Sequence, residues 1–231
     1  MINTDTSKNL TNTEEHAVEN QEKRPNESSG IYVRGHIKIF DPETKEVFID
    51  KPNAIHYENF SVALASSIAN KSQNFIYEMN FGNGGTSVDP TGIITYLPTN
   101  TVGQATNLYN PTYSKIVDNT AIANTDPVNN KMTITHVPGT VYTDILVSCL
   151  LDYGEPSGQA VFDNSTNLSG EYVFDELGLR GRSTDGTSGL TSTGLLLTHV
   201  VFHPVQKALN RLIQIDYTVR IQTLTNLSTN G

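Results

Sequence analysis

A chain of 231 residues with 24 acidic and 15 basic side chains, net charge −9, lacks the basic footprint needed for non-specific binding to nucleic acid or anionic membranes. Its single cysteine, Cys149, excludes a disulfide framework within the chain, and no run approaches the length of an apolar membrane span. Charged residues are only 17% of the total, and the Asn, Thr and Ser that supply much of the remaining polarity suit strand surfaces and turns.

Residues 1–29 hold only Ile2, Leu10 and Val18 as large apolar groups, too little to offset ordering entropy. Two readings stay open for them: a disordered tail, or an N-terminal arm that orders only against neighbouring subunits. Extended, the segment reaches on the order of 95 Å, enough to cross an adjacent protomer. The opening MINTDTSKNL has no basic stretch followed by an apolar one, so the expectation is a chain made in a host cytoplasm rather than exported.

A single domain is expected over residues 30–225, followed by a tail at 226–231. In IYVRGHIKIF, Ile31, Val33, Ile37 and Ile39 share one face and Tyr32, Arg34, His36 and Lys38 the other, which predicts a half-buried strand. Asp41-Pro42-Glu43-Thr44 is turn chemistry, and Val47-Phe48-Ile49 returns as the second arm of a hairpin. One short helix follows, with Asn59 as the expected N-cap, a stripe of Phe60, Ala63, Leu64 and Ile68, and a stop at Asn70-Lys71-Ser72. Beyond it, strands are predicted at 75–81, 93–97, 112–117, 131–137, 141–153, 171–179, 194–202 and 211–224. Gly82-Asn83-Gly84-Gly85 reads as a tight turn, 86–111 as a Pro-punctuated surface loop system, and 180–193 as a mobile loop whose Arg180 and Arg182 are expected to be solvated, an acidic partner being the alternative. The expected fold is mainly β: an antiparallel β-sandwich or jelly-roll-like domain with one short α-helix and an extended N-terminal arm.

The search for chemistry returns little. His199 and His203 lie four apart on a strand, about 13 Å from each other, too far to share an ion. No Gly-x-Ser-x-Gly elbow occurs. Cys149 sits in the apolar row Val141, Thr143, Ile145, Val147, Cys149, Leu151, where it acts as a small hydrophobe. The glycines at 82–85 lack the spacing and lysine of a phosphate-binding loop. Asp152, Glu155, Asp163, Asp175 and Glu176 are the candidate oxygen ligands for calcium, although their spacing matches no calcium motif. Tyr96, Tyr109, Tyr113 and Tyr153 lie in or beside predicted loops, where they could stack on sugar faces, and the absence of Trp weakens that reading. Asn164-Ser165-Thr166 is a glycosylation sequon of no consequence without export. The expectation is a non-enzymatic chain with no catalytic, cofactor-binding or metal site; a hydrolase site assembled from distant loops is the weakest alternative.

GHIKIFDPETKEVFIDKPNAIHYENFS at 35–61, FGNGG at 81–85 and LLLTHVVFHPVQKALNRLIQIDYTVRIQ at 195–222 resemble virion structural proteins of tailed bacteriophages. The resemblance covers most of 31–224 and implies a β-sandwich subunit of a symmetric ring or shell, at the neck or collar or as a head decoration. It implies copies of itself and portal, head–tail connector, capsid or tail components as partners, with neither nucleic acid nor membrane, and a place in the virion. It carries over no catalytic residue and no cofactor. A carbohydrate- or receptor-binding β-sandwich module is the alternative.

Overall fold

The structure is a computed structural model and describes residues 29–156, 171–183 and 191–225. Residues Gly30–Leu224 form one compact unit. The chain order is β1 (Ser29–Phe40), β2 (Val47–Ile55), α1 (Tyr57–Ile68), β3 (Ile76–Gly82), β4 (Thr86–Val88), β5 (Ile94–Tyr96), β6 (Pro111–Ile116), β7 (Lys131–His136), β8 (Tyr142–Leu151), β9 (Glu171–Gly181), β10 (Thr198–Ala208) and β11 (Ile213–Thr225). Nine strands form one curled antiparallel sheet, ordered β6-β3-β9-β10-β2-β1-β11-β8-β7, while β4 and β5 make a separate ribbon. The architecture is mainly β and sandwich-like, as the strand periodicity predicts.

The curl turns on β2. From Val47 to Asn53 this strand pairs with β1, and then Ala54 and Ile55 pair with His199 and Thr198 of β10. Two register positions therefore join a four-strand half (β6, β3, β9, β10) to a five-strand half (β2, β1, β11, β8, β7). Both halves feed one core: Met79, Phe81, Phe174, Leu179 and Phe202 from the first meet Ile37, Ile39, Cys149, Ile215 and Tyr217 from the second. The Phe174 ring stands edge-on to Phe81 and Phe202 at centroid distances of 5.3 and 5.8 Å, a favoured aromatic geometry. Cys149 is fully buried and desolvation raises its thiol to about 12, so it packs as a hydrophobe.

Polar groups fasten the joint. Thr198 Oγ1 accepts from Leu179 N at 2.9 Å, Asn53 Nδ2 donates to Tyr217 Oη, and His56 N donates to Leu197 O at 2.9 Å. A Cβ on Gly35 would displace the Asn53 amide that donates to Tyr217. The helix starts earlier than its sequence suggests: His56, not Asn59, is the N-cap, its Nδ1 accepting from Asn59 N at 3.2 Å. Asn59 is instead buried and donates to Leu196 O and Gln104 O. Of the expected stripe, Phe60 and Ala63 are buried while Ile68, in the last turn, is 78% exposed, because the helix meets the sheet only along its first half. The stop is at Asn70, whose φ of 52° lies in the left-handed region that Asn tolerates.

The 86–111 stretch contains more order than expected. The strand expected at 93–97 is β5, and Tyr96, Thr95 and Ile94 pair with Thr86, Ser87 and Val88, a partner strand too short for its alternation to stand out. β10 runs on past His203-Pro204 to Ala208, with a register shift against β9 between Val201 and Val205 that accommodates the proline.

Thr198→Val keeps the shape at the joint and strands the buried Leu179 N–H. Chemical denaturation should show a loss of about 1–3 kcal/mol, whereas Thr133→Val on exposed β7 should stay within about 0.5 kcal/mol of the parent.

Candidate functional site

Two places gather polar chemistry, one sealed and one open. The sealed one is centred on Asp175 and Glu176 of β9, both buried. Glu176 Oε1 accepts from Asn110 N at 2.8 Å and Gly84 N at 3.2 Å; its Oε2 accepts from Tyr109 N at 2.9 Å and His199 Nε2 at 3.0 Å. Asp175 Oδ1 accepts from Gly85 N at 2.9 Å, and Oδ2 from Thr86 N at 2.9 Å and the Thr86 hydroxyl. Burial alone would raise Glu176, but the His199 and backbone donors outweigh it and hold the carboxyl below its ordinary range. Asp175 goes the other way: desolvation exceeds its donors and raises it.

This corrects the reading of 82–85 as a tight turn. None of Gly82, Gly84 and Gly85 has positive φ. They are bare because the chain passes hard against its neighbours: a Cβ on Gly84 would sit 2.7 Å from Asn110 N, and one on Gly85 2.9 Å from Val201 Cγ1. The N–H groups of 84–86 do form an anion cradle, and the anions in it are the protein's own carboxylates.

His199 is fully buried on β10 and accepts from Asn100 N through Nδ1 at 2.7 Å, so its proton is on Nε2, aimed at Glu176. Both ring nitrogens and both Glu176 oxygens are thereby used inside the fold, and neither residue lines the described cavities. An acid–base pair with no face toward a substrate holds structure rather than moving protons. His203 is exposed, 3.2 Å from the Tyr96 hydroxyl and away from this pair.

The proposed calcium ligands disperse. Glu155 Oε2 accepts from Lys115 Nζ and from Asp152 N, at the end of β8 rather than beside β9; Asp163 lies outside the described residues, as does Asn164. Among the described residues, no group of three or more His, Cys, Asp or Glu side chains is placed to hold a metal ion. The four tyrosines each have a different partner. Tyr109 donates to Pro98 O, Tyr113 packs on Phe81, and Tyr96 and Tyr153 are exposed near His203 and Glu43 respectively.

Arg180 is the clearest departure from expectation. It is buried rather than solvated, donating to Gly194 O at 2.6 Å and to Asn107 Oδ1, with Nε 3.9 Å from Glu78 Oε1. Its position at the end of β9, where the strand is covered by the 107 and 194 segments, is invisible to composition. Arg182 is half-buried over the Phe75 ring, and half of the expected 180–193 loop, 184–190, lies outside the described residues. Glu78, which accepts from Ser192 N at 2.6 Å, is raised from 4.5 to about 7, because desolvation exceeds the opposing pull of that N–H and of Arg180.

The open place is a groove of about 970 Å³ on the solvent side of β1, β2 and β11, beginning where β2 leaves β1. Tyr32, Arg34 and His36 line it from β1, Ala54 from β2, and Arg220 from β11. Arg220 grips Asp144 through two 2.7 Å hydrogen bonds, the two residues lying directly opposite in the β11–β8 register, and its guanidinium stacks 4.0 Å over Tyr142. His36 pairs with Asp50 at 3.0 Å, while Arg34 stacks on Tyr32 and has no carboxylate partner among the described residues. The lining contains no Cys, Ser or Lys. The sequence search missed it because it exists only once four strands are in register.

Glu176→Gln places an N–H₂ against two donors and should cost roughly 2–3 kcal/mol in chemical denaturation. Glu78 acts with opposite sign to a paired carboxylate. Its folded value is raised, so its contribution is complete below 4.5 and is lost as pH climbs through about 7. Thermal melts should therefore show Glu78→Gln gaining on the parent from about pH 5 to about pH 7, with a constant gap above. No protein-family model, no curated protein and no solved structure matches the chain.

Proposed function

We propose that the chain is a non-enzymatic structural subunit, one repeated part of a ring or shell in a tailed phage particle, at the neck, collar or head–tail connection. The observation that carries this reading is the free edge of the sheet at β7. That strand ends the nine-strand order, and five of its six residues are exposed. Its centre, Thr133-Ile134-Thr135, has no charge, proline or bulge, the devices that keep a strand edge from pairing with another chain. Ile134 is 72% exposed, and Val137 and Val141 extend the apolar line at 49% and 56% around the hairpin. Such an edge is suited to continuing its ladder into a second subunit. The saturated Glu176–His199 pair supports the non-enzymatic part of the reading, and the resemblance of 35–61, 81–85 and 195–222 supports the phage part.

Size-exclusion chromatography with light scattering should find a closed oligomer, and mixing with portal or tail components should incorporate it into particles. Ile134→Lys should shift the oligomer toward monomer while its stability stays within about 0.5 kcal/mol of the parent. A monomeric parent chain that never enters particles would overturn the reading.

A further inference from the structure

The same fork that joins the two sheet halves leaves a strand unfinished. The β1–β2 register begins at Gly35↔Asn53, so β1, which neighbours β11 on its other side, pairs from Gly30 to Arg34 with no strand on the β2 side among the described residues. That bare side borders the 970 Å³ groove. Ile31 falls on the inward row with Val33, yet it is 55% exposed against 6% for Val33, because the core ends before it. Among the described residues, a free backbone edge, an exposed apolar side chain and a cation without a carboxylate partner therefore lie within five positions. These are the components of strand addition: a ladder for affinity and side-chain sites for specificity.

We infer that this edge accepts residues 1–28 of a second copy of the chain as an added strand lying in the groove. The inference rests on the assembly reading above and names the contact through which neighbouring copies would be tied. Charge favours it. The segment carries Glu14, Glu15, Glu19 and Glu22 with no Lys or Arg between them, and Arg34 lines a groove whose one lining carboxylate, Asp144, is already held by Arg220. Length favours a neighbour. A unit spanning Gly30–Leu224 is roughly 40 Å across by the usual scaling of compact domains, whereas 28 extended residues reach on the order of 90 Å. The groove takes strand and side chains together, and the segment's Ile2, Leu10 and Val18 are spaced to leave most of its other side chains polar.

Cysteine placement tests this in the full-length chain, because the native Cys149 is fully buried and silent to reagents. Copies bearing Ala54→Cys and an affinity tag are mixed with untagged copies bearing Ile2→Cys, Leu10→Cys or Val18→Cys, and treated with a short bismaleimide. At least one pair should give a tagged–untagged cross-link about fivefold above a mixture in which the untagged copy bears Ser61→Cys on the exposed side of α1. Adding Arg34→Glu to the Ala54→Cys copy should lower that yield by about threefold. Cross-linking confined to a single chain, seen when both cysteines are placed in one copy, would overturn the inference. So would yields equal to the Ser61→Cys control. Light scattering on the parent chain separates the two levels: an oligomer without this cross-link sinks the strand addition alone, and a monomer sinks the assembly reading with it.

Discussion

A carboxylate that is wholly removed from water must be surrounded by donors, and Glu176 obtains its four from three separate parts of the chain. That requirement organises much of the molecule. It brings the 84 and 109–110 segments together over β9 and fixes the tautomer of His199. Through the other ring nitrogen, it anchors Asn100. The segment between Asn100 and Asn110 then covers the outer side of the four-strand half, where Gly103 O meets His56 Nε2 at 3.0 Å and Gln104 O accepts from Asn59. The helix cap, the sheet joint and the loop covering are thus linked to one buried negative charge.

Much of the strand content was legible because it rests on a local rule. In β1 and in the inner half of β8, alternate residues face the core, and a period of two is visible without knowing what lies on the other side. The features that escaped depend on partners distant in sequence. Asn59 looks like a cap because short polar side chains usually are; only the position of Leu196 O explains why it turns inward and leaves the cap to His56. Arg180 looks solvated among Gly, Ser and Thr, and only the approach of Asn107 and Gly194 makes it a core residue. In the β4–β5 ribbon, β5 falls within the strand expected at 93–97, while the three residues of β4 are too short for any pattern to register.

The candidate sites show the same division. The pair Asp175 and Glu176 was visible as acidity, and its role was not, because acidity does not say whether the oxygens face outward to a cation or inward to backbone. Here they face inward, and desolvation then gives neighbouring carboxyls opposite fates: Glu176 is held low by its donors and Asp175 is pushed high. The groove was illegible for a different reason. Arg34, His36 and Arg220 come from strands some 180 residues apart, and nothing in either stretch hints that they share a surface. Arg34 and Arg220 stand there against the single carboxylate of Asp144, in a chain whose overall charge is −9.

The bare backbone at 82, 84 and 85 has a consequence for how the chain can change over generations. Every substitution at those three positions adds at least a Cβ where Asn110 or Val201 already stands, and every change at Glu176 leaves amide hydrogens facing nothing. Neither column can drift alone. Descendants of this chain should keep the two together or lose both at once, with the 109–110 segment relaid, so the glycines and the β9 acids behave as a single inherited character.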